Sequence, residues 1–114
     1  MPVYTRVYYT ILFSWDARKS DANLRLRGFD VAFAARVFDR RTVERPDTRR
    51  DYGEVRMSAL GMVEGIHLTV IYTDRLVRDH PERRIISARL SSRRERIDHD
   101  QSLQDQEDAR PRTG

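Results

Sequence analysis

The chain contains no cysteine, which removes a disulfide framework, a thiolate metal site and a cysteine nucleophile from consideration together. Lysine is almost as scarce: Lys19 stands alone beside 21 arginines. No apolar run approaches the roughly 18 residues of a membrane span, and the N-terminus lacks the charged, apolar and small-residue series of a secretory signal. A soluble, cytoplasmic protein that makes no membrane contact is the expectation. The five glycines are scattered and form no phosphate-cradling loop, and the sequence holds no internal repeat. What is present is a 39% apolar composition with ten aromatics spread over 114 residues, enough for one modest core and one small domain.

Charge is mild in total and uneven in place. The 22 basic and 18 acidic residues leave a net +4. From Arg75 to Arg96 eight arginines face only Asp79, Glu82 and Glu95, a local +5, whereas Ile97 to Gly114 carries five acids against Arg110 and Arg112, a local −3. Arginine's planar fork suits phosphate, which favours a nucleic-acid partner. A GC-rich genome, which puts arginine where others put lysine, accounts for the ratio without any ligand; it does not account for the clustering.

Along the chain, Met1 to Thr10 reads as an N-terminal extension and residues 11–99 as the folded domain. Ile11 to Trp15 is rich in strand formers, and Asp16 stands where a helix cap accepts amide hydrogen bonds. A helix from Ala17 to Arg27 follows, closed by Gly28. Asp30 opens a second helix in which Val31, Ala34, Ala35 and Phe38 recur at i, i+3, i+4 and i+7, one buried face. Asp39 to Gly53 is a polar connection with a short strand at Thr42 to Glu44. Glu54 to Val63 alternates as a half-buried strand, with Val55, Met57, Ala59, Gly61 and Val63 on one side. The Glu64-Gly65 turn joins it to Ile66 to Thr73 as an antiparallel hairpin. Asp74 to Arg83, with Pro81, is expected to be a charged loop. Arg84 to Leu90 is the last strand, and Ser92 with Glu95 is a capping box for a C-terminal helix. Beyond His99 only Leu103 is large and apolar, so residues 100–114 are expected to be a disordered tail. The sum is an α+β fold: a small antiparallel sheet, two N-terminal helices and one C-terminal helix.

The last strand offers the sharpest site. Strict alternation sends Ile85, Ser87 and Arg89 to one face and Arg84, Ile86, Ala88 and Leu90 to the other. An arginine and a hydroxyl side by side, followed by Arg93, Arg94 and Arg96 at a helix start, can cradle a phosphodiester. By composition alone such a strand end is more often a solvated surface.

The residues Phe13-Ser-Trp-Asp16, Lys19, Asn23 and Gly28 resemble the opening of the BrnT toxins, with a Trp-Asp pair, a lysine four residues after the tryptophan and an asparagine eight after it. Arg56 with Gly61, the strand ending Tyr72-Thr73, and Arg84-Ile-Ile-Ser-Ala-Arg89 followed by Glu95-Arg96 are similar to the rest of that pattern. The likeness runs from Phe13 to His99. It implies a RelE-like fold and a type II toxin, a ribonuclease that arrests translation by cutting RNA. It also implies a small DNA-binding antitoxin, BrnA, that holds the toxin inactive and is its link to operator DNA. No cofactor or metal is expected. Two departures are visible: Leu26-Arg27 where the family commonly has Lys-His, and His99 where it usually has tyrosine.

Metal-independent RNA cleavage needs an aligned 2′-hydroxyl, an acceptor for its proton and positive donors for charge on the phosphoryl oxygens. Arginine, with a pKa above about 12, supplies only the last. Arg89 and Arg56 are therefore the expected transition-state contacts, with Ser87, Arg84, Arg93, Arg96, Lys19 and Tyr72 on the substrate. Glu95, His99, His67, Lys19 and Tyr72 are the open candidates for the proton. Each has a plainer alternative: Glu95 as the partner of Ser92 in the capping box, His99 as a surface histidine, His67 as a solvated strand residue, Lys19 as a helix-surface cation, and Tyr72 and Trp15 as core aromatics. Arg56 can equally pair with Glu54 or Glu64. The competing functions are a catalytically weak or inactive module that binds RNA or antitoxin, and a structural interaction domain whose arginines only solubilise it.

Overall fold

The computed structural model describes residues 11–49 and 51–108. Asp16 accepts from the amides of Arg18 and Lys19 and opens helix α1, Ala17–Arg27; Gly28 ends it at φ 87°, a left-handed conformation that costs glycine nothing. Asp30 then caps α2, Val31–Ala34, which tightens into a 3₁₀ turn, Ala35–Asp39. That tightening corrects the predicted stripe. With three residues per turn, Val31, Ala34 and Val37 fall in line and are buried, while Ala35 and Phe38 are only partly so.

Five strands follow the order β1-β5-β4-β3-β2. They are β1 Leu12–Ser14, β2 Val43–Pro46, β3 Met57–Val63, β4 Ile66–Val77 and β5 His80–Leu90. All neighbours are antiparallel except β1, which joins β5 in parallel through Glu82, Arg83 and Arg84. Helix α3, Arg93–Asp108, closes the chain.

The segment Asp74–Arg83, expected to be a loop, is instead the continuation of the β4–β5 hairpin. Arg78 and Asp79 turn it with φ of 53° and 64°, the primed geometry of two-residue hairpins. Its charges pair across the strands, Arg83 with Asp74 at 2.8 Å and Arg75 with Glu82 at 2.5 Å, and Pro81 stands before β1 becomes a neighbour. The C-terminal helix likewise runs further than its composition indicates, to Asp108. Gln101 donates to Asp105 and Gln104 to Asp108, one turn on in each case.

One sheet face packs on α2 and the 3₁₀ turn. Val37, Val63, Leu68, Val70, Ile85 and Ala88 form its core with Phe29 and Val31. At Gly61 a Cβ would come within 2.7 Å of Val37 Cβ, so the close approach of turn to sheet depends on glycine. The opposite face is covered in part by α3, which is why Leu60 and Thr69 are also sealed. β3 is therefore buried on both sides rather than half-buried.

Candidate functional site

The site is built on β5. Its partners on β4 run Tyr72 to Ile85 and then Ile71 to Ser87, so Ile86 is one residue too many and forms a β-bulge. The bulge corrects the face assignment from strict alternation. Ile85 and Ala88 both turn to the helical core, at 3% and 1% exposure, while Arg84, opposite Thr73, joins Ser87 and Arg89 on the α3 side. Directly paired residues point the same way, so Arg45, Ser58, Ile71 and Ser87 make one row across four strands, and Leu60, Thr69 and Arg89 make the next. Arg56 lies one residue before β3. Asp47 donates its amide to the Arg56 carbonyl at 2.8 Å, and Thr73 donates its hydroxyl to the Val55 carbonyl at 2.8 Å, which continues the ladder and puts Arg56 two steps from Ser58, on the same side.

Arg89 is held rigidly. Its two terminal nitrogens donate to the two carboxylate oxygens of Glu95 at 2.6 and 2.9 Å, the forked geometry that adds direction to charge. Glu95 also completes the capping box, accepting from the Ser92 amide at 2.8 Å while its own amide donates to the Ser92 hydroxyl at 3.2 Å. Arg89 above all, with the Ser92 amide, lowers the Glu95 pKa to about 2 against the opposing cost of burial, so the group is a carboxylate and a weak base at neutral pH. Arg56 donates to Glu54 at 2.9 Å and lies 3.9 Å over the Tyr52 ring. Arg56 and Arg89 share a face without meeting: by strand spacing they are about 13 Å apart along the strands and about 10 Å across them.

Arg84, Arg93 and Arg94 make no ion pair among the described residues, whereas Arg96 donates to the Ser91 carbonyl at 3.1 Å. Because β1 covers only Glu82 to Arg84 of β5, the edge beyond is open to α1. Lys19, Asn23, Arg27 and Ser87 line a shallow cleft of about 210 Å³ there. Arg27 bridges it, donating to the Ala88 carbonyl at 2.6 Å and to the Asn23 side chain at 3.0 Å. Asn23 in turn donates to the Phe29 carbonyl at 2.8 Å. The Trp-Asp, Asn and Gly positions of the sequence pattern are thus the parts that cap and dock α1, and Arg27, one of the two departures, ties α1 to β5.

Two other candidates pair with neither Arg89 nor Arg56 among the described residues. Tyr72 is 3% exposed; its hydroxyl donates to the Glu44 carboxylate, Arg83 lies 4.1 Å over its ring and Phe38 meets it edge-on at 5.3 Å. Burial first, then the Glu44 carboxylate, push its pKa well above the ordinary phenol value. His99 is also 3% exposed, which corrects its reading as a surface residue: its face of α3 is turned onto β4, ring against ring with His67 at 5.3 Å. Both histidines contact Asp100 Oδ1, at 3.0 Å from His67 Nε2 and 3.2 Å from His99 Nδ1. Those hydrogen bonds, from His67 first, lower the Asp100 pKa. This trio is the set among the described residues that could hold a metal ion.

Sequence reasoning missed Arg45, which joins the Ser58 row and pairs with Asp98 at 3.6 Å, and Asp98 and Asp100 themselves, counted only as tail acids. Their helical spacing two residues apart offers no signal until α3 is laid on the sheet.

No helix among the described residues is long and apolar enough to cross a membrane. No curated protein matches the chain. The model of a family described as the ribonuclease toxin BrnT of type II toxin-antitoxin systems matches residues 15–95, a span that begins at the tryptophan before the α1 cap and ends at the carboxylate that holds Arg89. Family membership carries with it an RNA substrate and an antitoxin protein as partner. The chain belongs to the BrnT family of ribonuclease toxins.

Proposed function

We propose that this toxin is a metal-independent endoribonuclease that arrests translation by cutting RNA on the arginine-lined α3 side of β5, and that a BrnA-type antitoxin neutralises it. The observation that carries the reading is the Arg89 fork, held by Glu95 on the same side as Ser87 and Arg84. In the reaction the RNA 2′-oxygen attacks the adjacent phosphorus, its proton passes to a base, and the bond to the 5′-oxygen breaks as that oxygen takes a proton. Arg89 donates to the phosphoryl oxygens as their charge grows, and Ser87 hydrogen-bonds the same group. Arg56 and Arg84 grip flanking phosphates rather than the scissile one, because Arg56 is too far from Arg89 to share it. Lys19, across the β5 edge from Ser87, and Arg93, Arg94 and Arg96 at the start of α3 extend the basic track. Glu95 is a positioning residue: its low pKa makes it a poor proton acceptor and a good anchor for Arg89. His99 and Tyr72, both buried, support the scaffold.

The test is cleavage of a defined RNA by purified protein in the presence of a chelator. Product is expected with chelator present and is lost in Arg89→Ala; product that vanishes with the chelator, or that persists undiminished in Arg89→Ala, overturns the reading. In a bacterial host, induction should stop growth, and both Arg89→Ala and co-expression of the adjacent small gene should restore it. A catalytically silent module that binds RNA or antitoxin is the second reading, favoured by one observation: the Arg89 fork is already occupied by Glu95. It predicts salt-dependent RNA affinity without product.

A further inference from the structure

We propose that His67, His99 and Asp100 form a binding site for one divalent transition-metal ion of the zinc class, which fastens α3 to the sheet. The site lies on the same α3 side of the sheet as Arg89, toward the start of β4, uses none of the arginines, and does not rest on the ribonuclease reading.

Three donor groups converge from two elements. His67 comes from β4, on the side of the sheet that α3 covers, and His99 and Asp100 are consecutive on α3. Their donor atoms all lie within 4.8 Å of one another. Two of the three separations are 3.0 and 3.2 Å, His67 Nε2 and His99 Nδ1 each to Asp100 Oδ1. A tetrahedral zinc ion with ligands at about 2.0–2.1 Å has ligand-to-ligand edges of about 3.3 Å, so these two edges are already near the right length. The third lies within 4.8 Å, and the ion would draw the two imidazoles together.

The hydrogen-bond inventory points the same way. Without a metal, both imidazoles direct an N–H at one carboxylate oxygen, the point where a cation would replace two protons. His99 is 3% exposed, yet its Nε2 has no partner among the described residues. A metal bond at Nδ1 leaves Nε2 as an N–H without that partner, so the convergence of the three donors, and not the orphaned nitrogen, carries the site. Access is open from one side only: the Asp100 side chain is 63% exposed while those of His67 and His99 are 14% and 4% exposed. Two imidazoles and one carboxylate select zinc, nickel, cobalt or copper over magnesium and calcium, which prefer all-oxygen sets. A fourth position remains for water. The ion's role is structural, since it joins β4 to α3 at the end of the sheet away from Arg84 and Arg56.

The experiment uses the full chain, freed of metal by chelator and titrated with Zn²⁺, and reads stoichiometry, affinity and Tm. One Zn²⁺ per chain is expected, with Tm raised by about 10 °C when free Zn²⁺ is ~100 times Kd. Co²⁺ in its place should show the visible absorption of a four-coordinate site. His67→Gln and Asp100→Asn should each weaken binding by at least about 10-fold, by analogy with the loss of metal-site partners; Asp100 is surface-exposed, so its variant keeps the fold readable if His67→Gln does not. His80→Gln, on the far hairpin, should bind as the parent does. Absence of binding at micromolar Zn²⁺, binding unchanged in both variants, or binding lost in His80→Gln overturns the proposal. RNA cleavage measured on the same samples stands apart: activity without bound Zn²⁺ leaves the structural site intact, and Zn²⁺ binding without activity leaves the ribonuclease reading to fail alone.

Discussion

On one face of the sheet Leu68, Val70, Ile85 and Ala88 are sealed by hydrocarbon from α2 and the 3₁₀ turn; on the other, polar groups are matched one by one to α3 and the residues that lead into it. Thr69 meets Ser91 at 2.8 Å, Arg89 meets Glu95, His67 meets Asp100 and Arg45 meets Asp98. The first face supplies stability through area removed from water, which tolerates no water and needs little direction. The second supplies direction. Its side chains are held by hydrogen bonds with defined geometry, so they stay charged or polar, and Arg45 and Arg89 remain exposed enough to meet a ligand. A small protein can thus use both faces of one sheet for different ends, and the bulge at Ile86 is the device that keeps Ile85 in the first set and Ser87 and Arg89 in the second.

Substitutions that strike one face and spare the other break the comparison cleanly. Leu68→Ala, in the hydrocarbon face, should cost about 2–5 kcal/mol of unfolding free energy, read by urea denaturation, with the surviving folded fraction still cleaving RNA. Arg89→Ala, on the polar face, should do the reverse: cleavage falls about 100 to 1000-fold in a single-turnover assay, while stability falls only by the share that the Glu95 pair contributes. A loss of stability rather than rate in Arg89→Ala would mean that the two faces are not separable.

Glu95→Gln sharpens the contrast through pH. The folded pKa of about 2 lies below the ordinary 4.5, so ionised Glu95 contributes stability that is fully present above 4.5 and is lost as pH falls toward 2. The parent Tm should therefore drop over that window, and the Gln variant should drop less; parallel Tm curves would refute the pairing. The smallest effect is expected at the α1 cap, which belongs to neither face. Asp16→Ala should lower stability by about 1 kcal/mol in urea denaturation without altering the cleavage rate per folded molecule.

Legibility followed the range of the interactions. The α1 boundaries, the Asp30 cap, the Glu64-Gly65 turn and the Ser92/Glu95 capping box each depend on residues within a few positions of one another, and each stands where the local chemistry predicts it. Asp74–Arg83 reads as a loop because its charges find their partners only across the hairpin. The α3 extension reads as a tail because its composition is polar, yet amide-to-carboxylate pairs one turn apart run along it. Of the candidate site, Ser87 and Arg89 as neighbours were legible from alternation. Arg84's place beside them was not, since a one-residue bulge inverts the phase of everything on its far side and leaves no mark in an otherwise regular run.

The sequence by itself determined the elements, their order and the family, because capping groups, turn residues and apolar spacing act over one or two turns of chain. Tertiary structure alone decided that Glu95 holds Arg89, that Arg45 joins the Ser58 row and that His67 meets His99 and Asp100. Each of those contacts needs α3 or β2 to be laid against a particular strand in a particular register. Register is set by the summed burial of both faces, a quantity that no single segment carries.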